Sequence, residues 1–297
     1  MFRKILFLSL TLILTACQGG PLFHLGPTAT PFPEEFTGKA KIGDYTLTIN
    51  CTGTGSPTVI LEPCMFYKGW FYGDHQQFRQ ITRTCMYNRV GQSGEVITKP
   101  RTTLDQVKDL HALLQQTGVP GPYILAGYWF SGYNLVLYAD QYPKDVAGLV
   151  CVDCNYPSWY KTMLDKIGPE TSADTQDEKS MRKELTDYEA GITNTWDTNP
   201  EHLDQLADDG QVLKVTSLGD RPFIVLEAEN SLMGVVPHSL EMQRLSTDVY
   251  HEVQNTMCHL SSKCQVEVVP GVNLPAIISD KAVFNAIKEM YDTVKKK

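Results

Sequence analysis

The 297-residue chain lacks an excess of positive charge: 26 Lys and Arg face 34 Asp and Glu, a formal net charge of −8. Nucleic-acid binding usually leaves a basic patch or stripe, so this balance argues against that class. The sequence also lacks any apolar run of the roughly 20 residues that a membrane-spanning helix needs. Its one Cys-x-x-Cys pair, Cys151 and Cys154, is not matched by a second pair or a His pair at zinc spacing. We therefore expect no metal and no cofactor. No internal repeat is present, and no histidine follows His259.

What is present begins with Met1-Phe-Arg-Lys4, two positive charges, then the apolar run Ile5 to Leu14. This order of a basic start, a short apolar run and small residues reads as a secretory signal. Its end, Leu14-Thr-Ala-Cys17, resembles the bacterial lipobox. That resemblance implies removal of residues 1–16 and palmitate-type lipid on Cys17. The expected location is the bacterial cell envelope, exported, lipid-anchored and facing away from the cytoplasm, with the membrane reached through Cys17. Residues 17–40 are rich in Pro, Gly and Thr and read as an extended tether.

Beyond the tether, strand and helix signals alternate. Tyr45–Asn50 alternates like a half-buried strand, and Thr58–Leu61 is a continuous apolar run of the kind buried on both faces. Strands are also expected at Thr84–Tyr87, Tyr123–Ala126, Gly148–Val152, Phe223–Leu226 and Gln265–Val269. Helices are expected at Gln76–Arg83, Leu104–Thr117, Gly132–Gln141, Leu240–Thr256 and Lys281–Lys295. The alternation argues for a mostly parallel sheet covered by helices on both faces. Residues 159–215, rich in Asp, Glu, Lys and Thr, read as an inserted helical lid between two core parts, 41–158 and 216–297. After Cys17 seven cysteines remain, and an exported chain forms disulfides. Cys258 with Cys264 and Cys51 with Cys85 are the candidate pairs. Cys151 and Cys154 read as packing residues of a buried strand, and the odd total leaves at least one thiol unpaired.

Several segments resemble the α/β-hydrolase superfamily in order along the chain. They are Pro57-Thr-Val-Ile-Leu-Glu62, Tyr87-Asn-Arg-Val-Gly-Gln-Ser-Gly94, Leu104–Gln115 with Gly118–Tyr123, Pro122–Asn134, Leu149–Asp153 and Ala282–Ile287. The resemblance implies an α/β-hydrolase fold whose nucleophile sits at a tight strand-to-helix turn, Gly-x-Ser-x-Gly. In this chain Gly127 fills the first small position and Ser131 the second, which places Trp129 at the tip. An indole cannot attack an acyl carbon. Placing the nucleophile at Ser131 instead would put Trp129 and Tyr133 in the two small positions.

The rest of the implied triad is degenerate as well. The family's histidine follows its last strand, where this chain carries Asn273, and an amide is no general base near neutral pH. His251 and His259 precede that strand and read as surface or capping residues. The loop after the first core strand holds Pro63, which has no N–H to offer an oxyanion. Asp153 remains as a candidate acid, with Glu227 and Glu229 after the next strand, but with no histidine to orient. Ser131, Ser93 and Cys64 are the weak alternative nucleophiles. Phe66, Tyr67 and Trp70, with Tyr128, Trp129 and Phe130, form an aromatic set suited to an apolar or ring-bearing ligand. The expectation is a membrane-anchored pseudo-hydrolase that binds such a ligand or a protein partner. The alternative is an active esterase or thioesterase using an atypical nucleophile.

Overall fold

The structure, a computed structural model, describes residues 31–64, 74–91, 97–190, 201–234 and 238–296. Among the described residues eight strands form one sheet: β1 (Glu35–Ile42), β2 (Tyr45–Thr52), β3 (Thr58–Glu62), β4 (Thr84–Tyr87), β5 (Tyr123–Tyr128), β6 (Val146–Val152), β7 (Phe223–Ala228) and β8 (Cys264–Val269). Their spatial order is β1-β2-β4-β3-β5-β6-β7-β8. The pairs β1–β2 and β2–β4 are antiparallel, and all later pairs are parallel. This is the α/β-hydrolase fold expected from the sequence.

The central strands feed two apolar clusters with alternate residues. Ile60, Leu125, Leu149 and Val225 belong to one cluster, and Val59, Ile124, Val150 and Ile224 to the other. Two-sided burial explains why these strands read as continuous apolar runs rather than alternating ones. The first cluster includes apolar residues of α2 (Thr103–Thr117) and α3 (Ser131–Gln141), the second those of α8 (Leu274–Ile277) and α9 (Lys281–Lys295). Helix α2 begins where the Asp105 carboxylate accepts from the Thr102 N–H at 2.9 Å, and ends at Gly118 in the left-handed region, φ +68°. The short α1 (Asp74–Phe78) precedes β4, and α7 (Leu240–Cys258) precedes β8. Between β6 and β7 lie α4 (Trp159–Ile167), α5 (Gln176–Glu189) and α6 (Gln205–Val212). Met163, Met181, Leu185, Met242, Val249 and Val253 make a third cluster that joins α4 and α5 to α7. Among the described residues no helix is long and apolar enough to cross a membrane.

Two readings of the sequence change. The tether assigned to residues 17–40 runs into β1, because Glu35–Ile42 is a sheet strand whose residues 36, 38, 40 and 42 are less exposed than their neighbours. In the sequence this segment adjoins the Pro- and Thr-rich stretch, which masks its alternation. Cys151 and Cys154, read as packing residues, form a disulfide. Cys51–Cys85 and Cys258–Cys264 pair as expected, and Cys64 lies buried outside the three bonds. Cys51 and Cys85 face each other directly across the β2–β4 ladder. Residues 1–16 and Cys17 lie outside the described residues.

Candidate functional site

The turn between β5 and α3 is the tightest point of the site. Trp129 takes φ +50°, a left-handed conformation uncommon for a bulky residue, at the tip of the turn. Its N–H donates to the Val152 carbonyl at 3.3 Å, and its carbonyl accepts from Gly132 at 3.1 Å and Asn155 at 2.8 Å. A Cβ on Gly127 would stand 2.9 Å from the Cβ of Ser131, so the positions flanking the tip must be small. Gly132 is confined too: a Cβ there would collide with the Asn155 carbonyl and meet the Cys154 Cβ at 2.8 Å.

Ser131 is fully buried. Its hydroxyl lies 2.8 Å from the Tyr128 carbonyl, 3.1 Å from that of Pro63 and 3.2 Å from that of Glu62. These partners are all main-chain acceptors, and none is a base. The side chain ties the elbow to the end of β3. Cys64 is buried as well, at 2 % exposure. Ser93 lies outside the described residues.

Asn273 begins α8. Its Oδ1 accepts from the Ala276 N–H at 3.3 Å, and its Nδ2 donates to the Met233 carbonyl at 3.2 Å. Both ends of the amide therefore serve the backbone. Glu229, after β7, accepts from the Gly271 N–H at 2.8 Å. His259 caps the end of α7.

Asp153 follows β6 at φ +45° and is fully buried. Its Oδ1 accepts from Ser231 Oγ at 2.8 Å, Gln254 Nε2 at 2.9 Å and the Ala228 N–H at 3.2 Å. Burial pushes this carboxyl up to about 6, against the lowering effect of those hydrogen bonds. Its Oδ2 is buried without a hydrogen-bond partner, as is Oε1 of Gln254.

The same cluster holds a Ser–His contact that the sequence does not disclose. Ser231 Oγ lies 3.3 Å from His251 Nε2. That nitrogen also lies 2.9 Å from the Ala228 carbonyl, which can only accept, so Nε2 carries the proton. It is a donor here and cannot take a proton from Ser231, whose side chain is in any case fully buried. His251, read as a surface or capping residue, is thus part of an internal polar cluster. Beside it burial pushes Glu227 up to about 7.

A second buried network lies below the β3 end. The Arg89 Nη1 is 3.4 Å from Glu62, 3.1 Å from Gln106 Oε1 and 3.2 Å from Asn134 Oδ1, while its Nε is 3.2 Å from Glu201. Tyr87 donates to Glu62 at 2.8 Å, and Gln106 Nε2 also reaches Glu201. Burial raises Glu62 to about 7, with Arg89 opposing. These residues hold the loops under the elbow together.

The aromatic set divides. Tyr128 is 4 % exposed and belongs to the core, with its hydroxyl donating to the Leu274 carbonyl at 3.0 Å. It lies in a strand buried along its whole length. Trp129 and Phe130 are half-buried, with ring centroids 4.7 Å apart. Phe66, Tyr67 and Trp70 lie outside the described residues. A recess of about 10 Å³ borders Phe130, between Arg89, Asn134 and Asp208. Larger hollows lie elsewhere: about 530 Å³ beside Val119, Tyr123 and Lys144, and about 410 Å³ between α4–α5 and α7. Among the described residues no group of three or more His, Cys, Asp or Glu side chains could hold a metal ion.

No protein-family model matches the chain, and no curated protein matches it by sequence. Solved structures do match by shape. The alpha/beta hydrolase domain-containing protein 10 from mouse superposes with a TM-score of 0.59 at 14 % identity, covering 88 % of this chain and 98 % of that one. The lip1 protein of Acinetobacter baumannii AYE gives 0.58 at 16 % identity, over 89 % of this chain and 93 % of its own. A thermophilic esterase from Thermogutta terrifontis gives 0.55 at 17 % identity, over 88 % and 99 %. At these identities the likeness is one of fold.

Proposed function

We propose that this protein is a non-catalytic α/β-hydrolase-fold protein, anchored to a bacterial envelope membrane through lipid on Cys17, that binds a small apolar or ring-bearing ligand or a protein partner. One observation carries the reading. The tip of the elbow is Trp129, and the nearby hydroxyl, that of Ser131, is fully buried and held by three main-chain carbonyls. Asn273 at the histidine position, with both amide ends engaged by backbone, supports it. Trp129 and Phe130 supply the described part of the binding face, and Phe66, Tyr67 and Trp70 are its proposed remainder. The opposing reading, an esterase or thioesterase with an atypical nucleophile, draws on a structural neighbour that is an esterase.

The experiment is fluorophosphonate labelling of the full-length chain in detergent, alongside p-nitrophenyl ester turnover. The expected result is no adduct and no turnover above buffer. A stoichiometric adduct mapped to any serine would overturn the proposal.

A further inference from the structure

The insertion is fastened to the core at a point that uses none of the elbow residues. Helix α5 starts at a capping box, in which the Thr175 hydroxyl accepts from the Glu178 N–H and the Glu178 carboxylate accepts from Thr175. In its first turn Asp177 points to the residues that begin α7. Asp177 Oδ2 accepts from the Ser239 N–H at 3.0 Å and the Ser239 hydroxyl at 2.6 Å. Ser239 is itself the N-cap of α7 and accepts from the Met242 N–H. The other Asp177 oxygen lies 2.8 Å from His238 Nδ1.

The far side of the same ring faces a second carboxylate. Glu184, two turns along α5, places Oε2 3.5 Å from His238 Nε2. The His238 side chain is 4 % exposed, against 26 % for Asp177 and 61 % for Glu184. The backbone of His238 is braced by Gln243, whose Nε2 donates to its carbonyl at 2.9 Å. On α5 Arg182 pairs with Asp174 and Lys183 with Asp187, Lys166 on α4 pairs with Glu252 on α7, and Glu178 and Glu241 line the cleft beside Asp177 and Ser239.

A carboxylate at each ring nitrogen selects a charge state. Carboxylates only accept, and a neutral imidazole has one N–H, so one nitrogen would turn a lone pair toward an anion. The imidazolium presents an N–H to both, donating to Asp177 at 2.8 Å and standing 3.5 Å from Glu184 as an ion pair. We propose that His238 is a protonation-dependent clasp: as imidazolium it ties Asp177 and Glu184 of α5 to the start of α7, and on losing its proton it loosens α5 there, leaving the Ser239 bonds to Asp177 and the packing of Met181 and Leu185 in place. The Asp177 carboxyl is held below the usual range, by the Ser239 hydroxyl first and the His238 ring after it, against the opposing effect of burial. Imidazole as a class changes charge between pH 5 and 8, which sets the range over which the clasp is tested.

The clasp borders the cleft of about 410 Å³ between α4–α5 and α7, floored by Ile167, Met242 and Leu245 and rimmed by Asp177, Glu178 and Glu241. Loosening of α5 would let this cleft breathe, while α4 stays tied to α7 through Trp159 Nε1, 3.3 Å from the Ser246 carbonyl. The proposal does not depend on what the elbow binds.

Hydrogen–deuterium exchange of α5 in the full-length chain tests it, at pH 5.5 and 8.0 after correction for intrinsic rates. Exchange should rise about tenfold in the wild type at the higher pH, the scale of losing one charge-assisted hydrogen bond. In His238→Gln it should already be raised at pH 5.5 and change little with pH. Equal α5 protection at both pH values in the wild type, or an undiminished pH effect in His238→Gln, would overturn the clasp. Nitrogen NMR of the wild-type His238 ring is independent of the variant's folding. Both nitrogens should be protonated at pH 5.5, and a neutral single tautomer there sinks the idea.

Discussion

Gly127 and Ser131 stand so close across the elbow that one added carbon on the glycine would lie 2.9 Å from the Cβ of Ser131. The same carbon would lie 3.1 Å from the Leu135 side chain. Gly127→Ala should therefore destabilise the fold by about 1–3 kcal/mol, the usual cost of overpacking a close-packed site. Urea unfolding of the wild type and the variant measures it. An unchanged midpoint would mean that the turn is looser than described.

Trp129→Ser restores a hydroxyl to the tip but not a base. Asn273 is engaged with backbone groups, and His251 Nε2 donates to the Ala228 carbonyl. In a working triad, loss of the histidine alone costs about 10⁶-fold in turnover. On the proposed function, the single variant should show no turnover of p-nitrophenyl esters above the buffer rate. Turnover clearly above the buffer rate would reveal a base that the geometry does not offer.

Stability should depend on pH in an unusual direction. Burial raises Asp153 to about 6 and Asp208 and Glu62 to about 7. For an acid so raised the folded state binds protons more tightly than the unfolded chain. The contribution is complete below the unfolded value near 4 and is lost as pH rises through 6 to 7. The Tm should thus fall between pH 5 and pH 8. Asp153→Asn should flatten part of that slope, which for an upward shift of this size amounts to about 3 kcal/mol. A Tm that climbs over the same interval would contradict these shifts.

The Cys51–Cys85 bond closes a loop with a sequence separation of 34 residues between β2 and β4. Its loss in a Cys51→Ser/Cys85→Ser variant should cost about 3–4 kcal/mol on the loop-entropy account. Thermal unfolding without reductant, compared with the wild type, gives the value. A shift within error would show that the two strands hold together without the bond.

How far the sequence speaks depends on how local the cause is. Thr84–Tyr87 and Lys281–Lys295 are legible to the residue, because each is a single periodic run with clear ends. The Gly127-to-Ser131 spacing was legible because tight turns require small side chains at fixed offsets. Glu35–Ile42 is missed because its pattern adjoins a Pro- and Thr-rich stretch. The bond between Cys151 and Cys154 is missed because two cysteines at a buried strand end satisfy packing equally well. The contacts of Ser231 with His251 and of His238 with Asp177 are set by folding. The second pair lies 61 residues apart, and no local pattern joins them.

In the buried group of Arg89, Glu62 and Glu201 the guanidinium stands 3.4 Å from the Glu62 carboxylate and 3.2 Å from that of Glu201. Burial raises the Glu62 carboxyl, and the Arg89 guanidinium and the Tyr87 hydroxyl oppose it. Glu62 belongs to the central sheet, whereas Glu201 lies in the segment between β6 and β7. Pulling that segment away would strip Arg89 of a partner inside the protein and strand a carboxylate, a loss of several kcal/mol. The two parts should therefore melt as one cooperative unit, in a single calorimetric peak, with neither surviving as a separate folded intermediate.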